Sequence, residues 1–147
     1  MRSRILLFLA LLFSLLLASG CSITQTVDPV AGDTSIEKIY VQENATVHMD
    51  EMNQELVAMI QRQGFDSELY QGNPPENADH YLTFTANWRW DLAMYLSYFQ
   101  ATLFSREGRL GEVEYDARRG GSRLDKFGAT TEKVEPLMIE LLENVSR

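Results

Sequence analysis

His80-Tyr-Leu-Thr-Phe-Thr-Ala-Asn-Trp-Arg-Trp-Asp91 has the clearest pattern in the sequence, and the interpretation of the fold starts from it. Apolar and polar side chains alternate along this segment. The alternation puts one set of residues on a common face: Leu82, Phe84, Ala86, Trp88 and Trp90. Because successive side chains of a β-strand point to opposite faces of a sheet, the period of two predicts a strand with one buried and one polar face.

Two further strands are predicted directly after this one. The segments from Met94 to Arg106 and from Arg109 to Ala117 are joined at Glu107-Gly108. Glycine there permits the positive φ of a tight hairpin. The three segments are therefore expected to form an antiparallel meander.

The flanking segments supply two helices and two shorter strands. Short apolar segments around Ile36 to Val41 and from Phe65 to Tyr70 predict strands. Between them, Met49, Met52, Leu56, Met59 and Ile60 recur at helical spacing up to Gly64, a residue suited to the position after a helix end. A final amphipathic helix carries an apolar stripe: Val134, Leu137, Met138, Leu141, Leu142 and Val145.

Pro136 lies inside the stripe of the last helix. Proline removes a helical amide donor, so the helix either starts at Pro136 or is strained there, and Val134 favours the earlier start. The predicted element order is β-α-β-β-β-β-α. This order describes an α+β two-layer sandwich with a mixed sheet of about five strands and two helices on one face.

The first twenty residues have the features of a secretion signal. A positive start, Met1-Arg-Ser-Arg4, precedes an apolar run from Ile5 to Leu17 that only Ser14 interrupts. The run is short for a permanent membrane span, which needs roughly 20 apolar residues. Small residues then lead to Cys21, the only cysteine of the chain, so an intramolecular disulfide is excluded.

The residues Leu17-Ala-Ser-Gly-Cys21 resemble the lipobox of bacterial lipoproteins. The resemblance implies cleavage between Gly20 and Cys21, diacylglycerol on the Cys21 thiol and an acyl chain on its new amino group. Ala18 stands where the family more often has Leu. Ser22 stands where lipoproteins retained at the inner membrane usually carry Asp, so the resemblance implies the outer membrane, and we expect its periplasmic face. The alternative is an ordinary signal peptide that leaves Cys21 as a free thiol.

The predicted organisation therefore has three parts. Residues 1–20 are the removed signal peptide, residues 21–34 are the lipidated cysteine and a flexible tether, and residues 35–147 are a single α+β domain. The tether is predicted from Pro29, Gly32 and a scarcity of large apolar residues. Several acyl chains would hold the protein durably on the membrane.

Eight of the domain's thirteen aromatic residues lie between Tyr81 and Phe104, and the middle strand is apolar on both sides. Two helices cover one face of the sheet only. An exposed aromatic face is typical of a partner surface, and its predicted residues are Trp88, Trp90, Tyr95 and Tyr98. The alternative, that these aromatic residues pack in the core or lie under loops, has the greater weight, because aromatic strand residues more often pack than bind.

Charge gives a second candidate site. The chain has 21 acidic and 13 basic side chains, a balance that argues against a nucleic-acid partner. Four cations nevertheless surround Gly120-Gly121: Arg118, Arg119, Arg123 and Lys126. Glycine-loop amides beside guanidinium groups could bind an anionic lipid or glycan headgroup. The competing interpretation, which we favour, pairs Arg118 with Asp116, Asp91 or carboxylates elsewhere in the chain and places the other three cations in solvent.

Residues for catalysis or metal binding are scarce. His48 and His80 lie far apart in sequence without a carboxylate or cysteine at ligand spacing, so neither a metal site nor a cofactor is expected. Ser122 lacks the Gly-x-Ser-x-Gly pattern of a hydrolase nucleophile. The sequence therefore predicts a protein without enzymatic activity.

Two motifs, Ala86-Asn-Trp-Arg-Trp-Asp-Leu-Ala-Met-Tyr95 and Glu114-Tyr-Asp-Ala-Arg-Arg-Gly-Gly121, resemble those of a family of small uncharacterised Gram-negative envelope lipoproteins. The likeness spans nearly the whole mature chain but implies no activity. The expectation is an anchored protein that binds another envelope component or its own copies. The alternative is a headgroup-binding module.

Overall fold

The structure is a computed structural model, and it describes residues 22–47, 49 and 51–146. Six strands and two helices make up the domain, in the chain order β1 (Thr24–Asp28), β2 (Lys38–Gln42), α1 (Glu51–Arg62), β3 (Asp66–Tyr70), β4 (His80–Asp91), β5 (Ala93–Ser105), β6 (Arg109–Asp116) and α2 (Thr130–Leu142). A 3-10 turn, Leu124–Lys126, lies between β6 and α2.

The strands form one mixed sheet in the spatial order β1-β6-β5-β4-β2-β3. Strand β2 runs parallel to both β3 and β4, whereas β4, β5, β6 and β1 are successively antiparallel. The predicted α+β class, the meander and the hairpin with positive φ at Gly108 are confirmed. The sheet has six strands rather than about five, because β1 adds to its edge.

Strand β1 corrects the predicted tether. Thr24 to Asp28 pair with β6, and Val30 is buried, with its amide donating to the carbonyl of Leu141 at 3.0 Å. The prediction of a flexible segment over residues 21–34 is therefore wrong from Thr24 onward. The segment has few large apolar residues because an edge strand is held mainly by backbone hydrogen bonds, which β6 supplies. Cys21 lies outside the described residues.

Both helices pack on one face of the sheet, as predicted. Helix α1 contacts β2 and β3, α2 contacts β6, β1 and β5, and the helices also contact each other. Helix α2 begins at Thr130 and includes Pro136, so the earlier of the two predicted starts is confirmed. Buried residues from both helices and the sheet form one main core, with Phe99 and Leu103 of β5 at its centre.

The opposite face of the sheet is largely polar. Threonine, glutamine and glutamate residues alternate with the core residues of β4, β5 and β6. On this face the hydroxyl of Thr102 donates to Glu112 at 2.9 Å. A small apolar cluster of Tyr40, Tyr70, Ala78 and Tyr81 lies at one side, where the loop of residues 71–79 contributes Ala78.

Tyr115 provides a test of the core. Its side chain is buried, and its hydroxyl has no hydrogen-bond partner within the described residues. Because an unsatisfied buried polar group destabilises the fold, we expect Tyr115→Phe to raise the free energy of unfolding by about 1 kcal/mol in urea denaturation. Burial raises the pKa of Tyr115, so the wild-type chain should lose part of its stability as the pH rises above about 10. Tyr115→Phe should not show this part of the decrease in stability at high pH. Lower stability of Tyr115→Phe at neutral pH would contradict this account.

Candidate functional site

The structure separates the four aromatic residues that the sequence suggests as one interface. Trp88 packs against the core, and its indole Nε1 donates to the Thr130 hydroxyl at 3.1 Å. Tyr95 is only 7% exposed and meets Phe127 edge-on at a centroid distance of 5.8 Å. Tyr98 is half-buried on the polar face, and Trp90 is 73% exposed near the β4–β5 turn. The predicted aromatic sheet face is therefore wrong in its geometry.

A β-bulge contributes to this separation. Asn87 lies opposite Tyr98, but the next residue, Trp88, lies opposite Leu96, so that Ser97 is the extra residue of β5. A bulge shifts the alternation of side chains and increases the local twist. The outer part of the β4–β5 hairpin consequently presents its side chains differently from the rest of the sheet.

Tyr98 belongs to a polar network with Arg118. The guanidinium lies over the Tyr98 ring at 4.3 Å and donates to both carboxylate oxygens of Asp116, at 2.9 and 2.6 Å. These hydrogen bonds lower the pKa of Asp116. The Tyr98 hydroxyl donates to Glu114 at 3.1 Å, and burial, together with this bond, raises the pKa of Tyr98. Arg118 is therefore engaged locally.

The other predicted anion-binding residues do not converge on one site. Arg123 pairs with Asp125, and their hydrogen bonds lower the pKa of that carboxyl. Arg119 has no ion pair within the part of the chain that the structure describes, and it lines a cleft of about 440 Å³ beside Ser22. Lys126 is buried. The set Arg118, Arg119, Arg123 and Lys126 is thus not assembled as one pocket.

Lys126 connects two loops from inside the fold. Its side chain is 3% exposed, and the ammonium group donates to the Asp91 carboxylate, at the end of β4, and to the carbonyl of Gly121. The same group lies over the rings of Tyr95 and Phe127, at 5.0 and 5.2 Å from their centroids. Lys126 therefore ties the β4–β5 hairpin to the loop of residues 117–129, which we call the arginine loop.

The strand register places several loops at one end of the sheet. Thr24 pairs with Asp116, Asp116 with Tyr98, and Tyr98 with Asn87. Three segments extend beyond this row of paired residues in the same direction: the chain before β1, the arginine loop and the β4–β5 turn. We call this the Ser22 end.

The Ser22 end carries most of the exposed apolar surface. Six large apolar side chains are exposed among the described residues, and five of them are at or beside this end: Met49, Trp90, Leu92, Met94 and Leu124. Of these, Leu92 is 84% exposed and Leu124 is 76% exposed. The sixth, Ile139, lies on α2. We call Trp90, Leu92, Met94 and Leu124 the apolar tip.

Sequence reasoning found Trp90 of the apolar tip but missed the other three residues as surface residues. Leu92 is the one residue between β4 and β5 and has φ of 61°, a left-handed conformation that leucine rarely adopts. No glycine or asparagine marks this turn, so its position could not be predicted from the sequence pattern. The end of the sheet at which the chain enters the domain is determined by β1, and that strand was not predicted.

Candidate metal ligands do not cluster in the described residues. No group of three or more His, Cys, Asp or Glu side chains among residues 22–47, 49 and 51–146 is arranged to hold a metal ion. Burial lowers the pKa of His80, while His48 lies outside the described residues. No helix in the part of the chain described here is long and apolar enough to span a membrane.

Comparison with known proteins identifies the fold alone. No protein-family model and no curated protein matches the sequence. Two structures of the PelC dodecamer from Paraburkholderia phytofirmans, one of them a point variant, share the fold with a TM-score of 0.53 and 11% sequence identity. The match covers 84% of this chain and 96% of each PelC chain. The protein is thus an α+β domain with the PelC fold.

Proposed function

We propose that the protein is a lipoprotein anchored through Cys21 to the periplasmic face of the outer membrane, with a non-enzymatic binding or structural role in the cell envelope. The observation that carries the proposal is the start of β1 at Thr24, three residues after the lipobox-like sequence. Three extended residues span only about 10 Å. A lipid on Cys21 would therefore hold the folded domain directly against the bilayer surface, as suits a protein that acts at the membrane.

The polar interactions of the domain favour a role without catalysis. Arg118, Arg123 and Lys126 are each engaged with a nearby carboxylate, as expected for groups that stabilise loops. His80 belongs to no group of three or more His, Cys, Asp or Glu side chains in the described residues that could hold a metal ion. These observations support a binding or structural role.

Self-association is the partner hypothesis with the most support. The PelC structures that share this fold are dodecamers. We therefore propose that copies of this chain assemble with each other, and light scattering on residues 22–147 should give a discrete oligomer. A monomer at all concentrations would contradict self-association and favour another envelope protein as the partner.

Headgroup binding by the arginine loop is the second candidate. Arg118 and Arg123 already have carboxylate partners, which weakens a dedicated anion pocket. Arg119 forms no close ion pair among the described residues and lines the cleft beside Ser22, together with Asp116. That position suits a contribution to membrane contact better than specific capture of a free ligand.

The anchoring proposal is tested by labelling cells with radioactive palmitate. The wild-type protein should carry the label and fractionate with the outer membrane, whereas Cys21→Ser should lose both properties, because the thiol is the predicted attachment site. Ser22→Ala is the matched control, since it changes the neighbouring residue and keeps Cys21. An unlabelled wild-type protein, or label retained in Cys21→Ser, would contradict the proposal.

A further inference from the structure

The apolar tip is not explained by folding. Leu92 occupies a left-handed backbone conformation at φ of 61° and is 84% exposed. A glycine or asparagine would fit this turn with less strain, and a polar residue would be better hydrated. Trp90 and Met94 flank the same turn and are also exposed. A tight hairpin that presents large apolar side chains to solvent is typical of a contact surface.

The apolar tip lies where the chain leads to its predicted anchor. Ser22 and the β4–β5 turn are at the same end of the sheet, and Cys21 directly precedes Ser22. Because β1 begins at Thr24, the lipid cannot be far from this end. The occupant that the position favours is therefore the bilayer that contains the anchor.

The charge of the neighbouring loop is complementary to an anionic bilayer. The arginine loop exposes three arginines, Arg118, Arg119 and Arg123, of which the first and third are paired with carboxylates, although the protein as a whole has a net charge of -8. Arg119 in this loop lines the cleft next to Ser22. Basic side chains near a membrane surface are attracted to anionic headgroups, and tryptophan is enriched at the membrane interface.

We propose that the apolar tip inserts into the interface of the lipid bilayer, with the arginine loop against the headgroups, so that the domain stands on the membrane on its Ser22 end. This inference rests on the proposed anchoring through Cys21. Lys126 is a positioning residue in this arrangement, because it joins the hairpin of Trp90, Leu92 and Met94 to the loop of Leu124. The lipid anchor and the tip would then fix the orientation of the domain.

The two tryptophans allow a direct test. All described strands and helices lie within residues 22–146, so a chain of residues 21–147 contains the complete core. Its only cysteine, Cys21, can be coupled to a maleimide lipid in vesicles of phosphatidylethanolamine and phosphatidylglycerol with brominated acyl chains. In a Trp88→Phe background, Trp90 is the only tryptophan. Its emission should shift to shorter wavelength and be quenched by the bromines.

Matched variants distinguish insertion of the apolar tip from nonspecific binding to the vesicles. Leu92→Asp should reduce the inserted fraction by about tenfold, because transfer of one leucine from water to an apolar phase is worth at least that factor. Ile139→Asp makes the same kind of change on α2, away from the tip, and should leave quenching unchanged. Circular dichroism should show both variants folded, since both side chains are exposed.

Three outcomes would overturn the proposal. The first is that the fluorescence emission of Trp90 does not change when the protein is tethered to vesicles. The second is quenching that Leu92→Asp leaves intact. The third is a blue shift that depends on protein concentration without vesicles, which would assign the tip to a contact between copies. Coupling through maleimide replaces the natural lipid, so a failure here is distinguishable from a failure of the palmitate experiment.

Discussion

Lys126→Ala should lower the free energy of unfolding by about 3 kcal/mol, within the range for truncation of a large buried side chain to alanine. The substitution removes hydrogen bonds to Asp91 and Gly121 and the contacts with two aromatic rings. It also leaves a cavity beneath the 3-10 turn. Urea denaturation of residues 22–147 measures the change.

Two further variants test whether the loss of stability is specific to the buried ammonium group of Lys126. Lys126→Met keeps the apolar stem and should lose less stability than Lys126→Ala, because Asp91 is half-exposed and can be hydrated. Lys38→Ala removes a partly exposed lysine that pairs with Asp66 and Glu68 and should change the stability only slightly. If Lys126→Ala cost no more than Lys38→Ala, Lys126 would not be the connection described here.

Gly111→Ala should be about as damaging, with a loss of about 3 kcal/mol, the upper end for overpacking of a core. A Cβ atom at Gly111 would lie 2.7 Å from the carbonyl oxygen of Asp28 and 2.9 Å from Cδ1 of Leu141. Because one of these atoms belongs to the backbone of the last residue of β1, the clash can be relieved only by moving that strand away from β6. Thermal and urea denaturation measure the loss.

Gly32→Ala is the matched control for this prediction. Its Cβ would meet Asn144 only at ordinary contact distances of 3.5 and 3.6 Å, so stability should change little. If Gly111→Ala were as stable as Gly32→Ala, β1 would not pack as the structure describes, and the flexible tether would be the better description.

The sequence predicted the elements that have strong periodicity. The alternation in His80–Asp91 and the apolar stripes of the helices are sufficient for the α+β class, since these patterns reflect which faces are buried. Strand β1 was missed because Thr24 to Asp28 are mostly exposed at the sheet edge and have no apolar alternation. An edge strand of this kind depends on the partner strand, which sequence periodicity does not reveal.

The candidate site depended on facts that the sequence does not contain. The residues around Trp88 and Tyr98 were identified, but the bulge at Ser97 and the 3-10 turn over Tyr95 decide which of them are exposed. The favoured pairing of Arg118 with Asp116 is confirmed. The interpretation of Lys126 as an anion-binding residue was wrong, because a lysine in a basic loop is usually exposed and this one is buried.

The central claim is that the anchored domain stands on the membrane on its Ser22 end. Hydrogen–deuterium exchange of the full lipidated protein in vesicles, compared with residues 22–147 in solution, tests it most directly. The account predicts slower exchange in residues 88–95 and 119–127, and unchanged exchange in the loops 71–79 and 105–108 at the opposite end of the sheet. Equal exchange in both preparations, or protection confined to the opposite end, would contradict it.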